Sequence, residues 1–355
     1  MTLEQLAETL VALVDIPSVT GQEAAIAGYV QGRLERRSTG ECLRSGDAVV
    51  WRGPSRGRPL VVLAGHLDTV PPVGGARARL DGGRVHGRGS SDMKGGDAVM
   101  LALVESLDPA RLRHDLAAVF YDAEEGPFEG NGLGRVLRAM PWLGGAALAV
   151  LMEPTAGRVE MGCNGSLNVE VRVAGRAAHA ARPWTGVNAV ERAAPWLAEI
   201  VRVPVRPVTL QGLEFRETLQ VTMLSAGTAR NVVPGELVAN LNHRFTPDVT
   251  LEEAEARLRA RVPAEFGFRV VDAAPPGAVA LDHPLVREFV RRSGAGVAGK
   301  QGWTDVARFS ALGVPAFNFG PGLPDLSHAP DEHCPTANLL AAYEALARFL
   351  TEEET

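Results

Sequence analysis

The sequence predicts an α/β fold: a mostly parallel sheet sandwiched by helices, into which a smaller ferredoxin-like α+β unit is inserted. Two patterns and one length lead there. Four short apolar runs, Leu60–Ala64, Leu116–Tyr121, Ala146–Met152 and Pro315–Phe319, flank the middle of the chain. Runs apolar on both faces suit strands of a sheet covered by helices on each side. The middle instead alternates apolar and polar residues, the period of strands with one wet face. At 355 residues the chain exceeds the size at which a single core stops growing, so two domains are expected.

In chain order, Leu3, Leu6, Leu10, Leu13 and Val14 recur at helical spacing. Thr2 and Gln5 form a capping-box pair, and Pro17 stops the helix. The buried strands follow, with Asp97–Leu107 and Asn338–Leu350 as covering helices. The middle reads strand Val169–Val173, helix Asn188–Val201, strands Leu219–Leu224 and Leu237–Phe245, helix Leu251–Val262 and strand Phe268–Asp272. That order, βαββαβ, is a ferredoxin-like unit. Ala273–Ala280, with two prolines and a glycine, reads as the connection back. The expected domains are 1–163 with 273–355, and the insert 164–272.

Bulk composition excludes several functions. A net charge of −6 gives no basic face for nucleic acid, and 5% aromatic residues give no stacking platform for single strands. No apolar run approaches the roughly 20 residues of a membrane span. The opening MTLEQLAETLVALVD lacks the pattern of a signal peptide. Cys42, Cys163 and Cys334 are odd in number and widely spaced, which suits reduced thiols. A cytoplasmic location is expected. Gly294–Lys300 has phosphate-loop spacing, but Gln301 stands where Ser or Thr is required.

The chemistry lies at strand ends. Leu60–Gly65 runs into His66-Leu67-Asp68; Leu116–Tyr121 into Asp122-Ala123-Glu124-Glu125; Ala146–Met152 into Glu153; Pro315–Phe319 leads on to His328. Ligand sites of open α/β sheets lie beyond the carboxyl ends of their strands, so these four ends converge. The Gly-rich loop Gly87–Gly95 adds Asp92. Histidines among carboxylates, without clustered cysteine, suit catalytic zinc. His66, Asp92, Glu125, Glu153 and His328 are too many for one tetrahedral ion and suit two sharing a carboxylate. Glu124, beside a ligand, is left as general base. Asp68 can face the same way as His66 and orient its imidazole. His86, His114, His243, His283 and His333 end no such strand and are left aside.

GHLDTVP (Gly65–Pro71), GRGSSDMKGG (Gly87–Gly96), DAEEG (Asp122–Gly126), MEPT (Met152–Thr155) and His328 together resemble the co-catalytic dizinc metallopeptidase family. That family spans aminoacylases, acetylornithine deacetylases, succinyl-diaminopimelate desuccinylases and carboxypeptidases. AHAARPWTG (Ala178–Gly186), QGWTDVARFSALG (Gln301–Gly313) and NFGPGLPDLSHAPDE (Asn318–Glu332) are similar to its desuccinylases. The resemblance implies one zinc on His66, Asp92 and Glu153, and a second on Asp92, Glu125 and His328, with cobalt or manganese as substitutes. It implies an N-acyl amino acid as substrate. His179 would steady the oxyanion from a partner subunit in a homodimer formed through the insert. Asn231, Arg244 and Thr304 would contact the substrate. Asn164 and Arg182 stand where proteobacterial desuccinylases carry arginine and tyrosine.

Overall fold

The computed structural model describes residues 1–37, 39–72 and 77–352. The chain divides into two compact units, Met1–Gly162 with Ala278–Gly299 and Thr304–Thr355, and Cys163–Gly277 with Lys300–Trp303.

The first unit is an α/β layer structure around one eight-stranded sheet. From edge to edge its strands are Glu41–Ser45, Ala48–Arg52, Asp115–Tyr121, Leu60–His66, Leu148–Leu151, Ala316–Asn318, Val159–Met161 and Val297–Gly299. The four expected apolar runs occupy the centre, and each is parallel to its neighbour in that group. Their carboxyl ends therefore share one edge. Val61–Ala64, Ala117–Phe120 and Leu148–Leu151 are all inaccessible to solvent. Each such Val or Leu contributes roughly 1.5–3 kcal/mol by leaving water. Antiparallel strands flank this centre. Ala48–Arg52 pairs antiparallel with Asp115–Tyr121, and Val159–Met161 with Ala316–Asn318. The flanking strands were not foreseen.

Helix Leu3–Val14 opens with the expected capping box, since the Thr2 side chain accepts from the Gln5 N–H and the Gln5 side chain from that of Thr2. Helix Lys94–Ser106 begins three residues before its expected start. Asp97 lies in the first turn of this helix, near its start as expected, fully buried and with neither carboxylate oxygen hydrogen-bonded. Among the described residues no cysteine forms a disulfide, and no helix is long and apolar enough to cross a membrane.

The second unit carries a five-stranded antiparallel sheet ordered Arg206–Leu210, Leu213–Ala226, Glu236–Phe245, Gly165–Ala174, Gly267–Ala274. Helices Ala189–Ile200 and Leu251–Arg259 complete the βαββαβ order, with Arg206–Leu210 as an added edge hairpin. Alternation assigns the faces. Leu237, Ala239, Leu241, His243 and Phe245 are buried, while the residues between them are half-buried. Leu237, Ala239, Leu241 and Phe245 of that row pack with Val169, Val171, Val173, Ala193, Trp196 and Leu258 into the unit's own core.

Candidate metal centre and active site

The shared carboxyl edge of the central strands gathers the first unit's polar residues. His66 is the last residue of its strand, Glu153 lies two residues beyond Leu148–Leu151, and Glu124 and Glu125 follow Asp115–Tyr121. Asp92 arrives on the loop before helix Lys94–Ser106, and His328 on the long loop after Ala316–Asn318. Small residues let these segments meet. A Cβ on Gly96 or on Gly320 would run into the Met152 carbonyl, next to Glu153. His328 itself adopts φ +65°, a left-handed conformation uncommon for residues with a Cβ and enriched at functional sites.

Two groups of donors result. Single atoms of His66, Asp92 and Glu153 lie within 4.8 Å of one another, and so do single atoms of Asp92, Glu125 and His328. Asp92 belongs to both. The His66 Nε2 is 3.2 Å from Asp92 Oδ1, and His328 Nε2 is 2.9 Å from Glu125 Oε1 and 3.7 Å from Asp92 Oδ2. His66 Nδ1 donates to the Asp68 carbonyl oxygen at 3.0 Å, an atom that can only accept. In a neutral ring Nε2 then turns a lone pair toward a carboxylate, so the contact calls for a proton or a metal cation between them. The donor set, imidazole and carboxylate without thiolate, fits a divalent transition metal.

The electrostatics of these side chains agree. Burial opposes a charge on His66, but the hydrogen bond to Asp92 and the carboxylates of Glu124, Asp68 and Asp92 prevail and raise its pKa well above the ordinary value. The Glu125 hydrogen bond similarly raises His328. Burial works to raise the Asp92 pKa, yet the His66 hydrogen bond and charge bring it lower. Glu124 moves the other way. Burial raises its pKa well above the carboxylate range, helped by repulsion from Glu153, Asp305 and Glu125 and opposed by His66.

Asp68 is fully buried and does something more specific than the sequence suggests. Its carboxylate accepts the backbone N–H groups of Glu124 at 2.9 Å and Glu125 at 3.1 Å, and the Thr20 hydroxyl at 2.8 Å. The imidazole is held by its backbone carbonyl, with carboxylate Oδ1 at 3.6 Å from Nδ1. Thr304, also in this unit, is buried.

The remaining expected residues belong to the second unit. His179 is exposed, and its Nδ1 accepts the Ala181 N–H at 3.0 Å. A neutral ring so held carries its proton on Nε2, which is then a donor. The Asn231 carbonyl accepts the Ala180 N–H at 2.9 Å. Arg244 is half-buried on the alternate face of its strand, with Nε donating to Asn242 at 3.1 Å, and burial lowers its pKa. Asn164 is buried and donates to the Arg216 carbonyl at 2.9 Å.

Two buried residues in the first unit were missed. Glu332 accepts three backbone N–H groups of the loop carrying Asp92. Lys94 donates through Nζ to the carbonyls of Ile16 at 2.8 Å and Leu13 at 3.2 Å, and burial lowers its pKa to about 8. Only their places within motifs hinted at them, Lys94 between Met93 and Gly95 and Glu332 four residues after His328.

A layered sheet that brings imidazole and carboxylate donors together at its carboxyl edge defines a class, and the chain belongs to peptidase family M20/M25/M40, whose model matches residues 62–352. Among its relatives, "Putative succinyl-diaminopimelate desuccinylase DapE" of Mycobacterium tuberculosis is 41% identical over 346 residues, 97% of each chain. The succinyl-diaminopimelate desuccinylase of Corynebacterium glutamicum is 36% identical over 96% of this chain and 94% of its own. Similar solved structures include the M20 family metallo-carboxypeptidase Sso-CP2 of Sulfolobus solfataricus. It has a TM-score of 0.79 at 17% identity, covering 97% of this chain and 98% of the other.

Proposed function

We infer that this chain hydrolyses N-succinyl-LL-2,6-diaminopimelate to succinate and LL-2,6-diaminopimelate, a step of lysine and diaminopimelate biosynthesis in the cytoplasm. The observation that carries the reading is the pair of donor groups sharing Asp92, with Glu124 beside them, in a chain whose full-length relatives bear the desuccinylase name. His66, Asp92 and Glu153 would hold one zinc, and Asp92, Glu125 and His328 the other. Bound zinc supplies Lewis acidity, which acidifies water and polarises a carbonyl.

The chain's own groups do the rest. Water adds its oxygen to the amide carbon while Glu124 takes the water's proton. The C–N bond then breaks as Glu124 returns a proton to the leaving amine, so the carboxylate ends unchanged. Asp68 holds the N–H groups of Glu124 and Glu125 and thereby aims the base. The His179 Nε2–H would donate to the developing oxyanion, delivered from a second subunit. Arg244, Asn231 and Thr304 would bind the substrate's carboxylates and amino acid portion.

Self-association has a surface to use. In strand Leu213–Ala226 only Leu213–Glu217 pair with the edge hairpin, so among the described residues the outer edge from Thr218 onward meets no other strand. That stretch exposes Met223 at 71% and Leu224 at 56%. An open apolar edge of this kind invites pairing with a second copy. Sedimentation at micromolar concentration tests the dimer.

The deciding experiment compares kcat/KM on succinyl-diaminopimelate, acetylornithine and dipeptides with zinc-loaded enzyme. A clear preference for succinyl-diaminopimelate is expected. A preference for acetylornithine or a dipeptide would keep the amide-hydrolysis chemistry and replace the substrate.

A further inference from the structure

We propose that Glu332 and Arg88 form a positioning pair that sets how tightly the Asp92–Glu125–His328 group holds its cation; this rests on the metal reading above. Glu332 is 3% exposed, and both of its oxygens are engaged. Oε1 accepts the backbone N–H groups of Ser91 and of Asp92 itself, each at 3.0 Å. Oε2 accepts the Gly89 N–H at 3.0 Å and an Arg88 guanidinium N–H at 2.7 Å. Arg88 also donates to the His328 carbonyl at 3.2 Å. The backbone closes the clasp. Gly87 N–H reaches the Glu332 carbonyl at 3.1 Å, and the Ser91 hydroxyl bridges the His333 carbonyl and the Leu323 N–H.

Two irregular segments some 240 residues apart, held together at one end by the short antiparallel pairing of His333–Pro335 with Arg84–His86, are thus joined face to face by one carboxylate beyond that pairing. Neither has a ladder of its own to satisfy its buried N–H groups, so the alternative to Glu332 is orphaned donors. A carboxylate carrying four donated hydrogen bonds has no lone pair directed at a cation, which distinguishes Glu332 from the ligands. Its effect is also uneven. The clasp bears two of the three donors of the Asp92–Glu125–His328 group. It bears only Asp92 of the other group, whose His66 and Glu153 sit at the ends of buried strands. Loosening the clasp should therefore weaken one cation far more than the other.

The test is stepwise Co2+ titration of the metal-free full chain, read by calorimetry and by the visible absorption of bound cobalt, with the thermal midpoint recorded alongside. Wild type should take two equivalents. Glu332→Gln replaces an acceptor with a donor facing a backbone N–H. It should leave the tighter equivalent nearly unchanged and weaken the other by about 10–100-fold, the usual range for groups that orient metal ligands. Arg88→Gln should move the same equivalent, by less. Two unchanged affinities, or an equal loss of both, in a Glu332→Gln protein that melts like wild type would overturn the proposal. Should that variant not fold, unchanged affinities in Arg88→Gln overturn it alone. A wild-type chain that binds no Co2+ defeats the metal reading instead, a different result.

Discussion

Glu124 and Asp97 of the first unit and Glu217 and Glu170 of the second are treated in opposite ways. In the second unit, Glu217 is held by His243 at 2.8 Å and Arg206 at 2.6 Å, and its pKa falls to about 2. Glu170, between Arg269 and Arg172, is likewise lowered. In the first unit, Glu124 and Asp97 are raised well above the carboxylate range, because burial there is not matched by cationic side chains. Glu217 and Glu170 are neutralised by neighbouring arginines and a histidine, as Glu105 and Glu288 of the first unit are by Arg33 and Arg113. Glu124 and Asp97 are instead buried with too little positive charge beside them, which is costly for stability and useful only if a cation or a proton transfer makes use of it.

Removing metal tests that difference most severely. Chelation should abolish turnover and lower the melting temperature, and added zinc should restore both. Activity that survives exhaustive chelation would mean that the first unit's excess acid serves some other purpose. Glu124→Gln comes next, with kcat expected to fall by about 10²–10⁴-fold while metal content by elemental analysis stays at the wild-type level. Near-normal turnover would remove Glu124 from the proton transfer. His179→Ala should lower kcat by about 10²-fold, the usual loss of an oxyanion donor, again with metal intact. An effect confined to KM would make it a binding residue.

The smallest expected effect lies in the second unit. Because the folded pKa of Glu217 lies below its ordinary 4.5, its contribution is complete above pH 4.5 and fades as pH falls toward about 2. Glu217→Gln should therefore destabilise by on the order of 1 kcal/mol at pH 7, after allowing for solvent screening, and by progressively less from pH 4.5 downward. Denaturant melts at several pH values would show it. A penalty independent of pH would point to packing instead of charge.

Much of the first unit was readable in advance because its information is local. An apolar run of five to seven residues states that a strand is covered on both faces, and a histidine or carboxylate just after it states which edge carries the chemistry. His66, Asp92, Glu125, Glu153 and His328 converge as their positions in the chain suggest. Of the flanks, Glu41–Ser45 and Val159–Met161 are short and partly polar and acquire strand character only from the neighbours they pair with, whereas residues 48–51 are a short buried apolar run like the central ones.

The sequence by itself determined the central parallel strands, the βαββαβ order of the insert and the residues that meet at the sheet's carboxyl edge, since each rests on periodicity or on a residue's place within a short motif. Only the tertiary structure decided which atoms do the holding. It gave the Asp68 carboxylate to two backbone N–H groups and its carbonyl to His66, put the His179 proton on Nε2, and set Glu332 against a loop some 240 residues away. Hydrogen bonds between backbone and side chains distant in sequence leave no periodic trace, because any acid can accept them and geometry alone selects which one does.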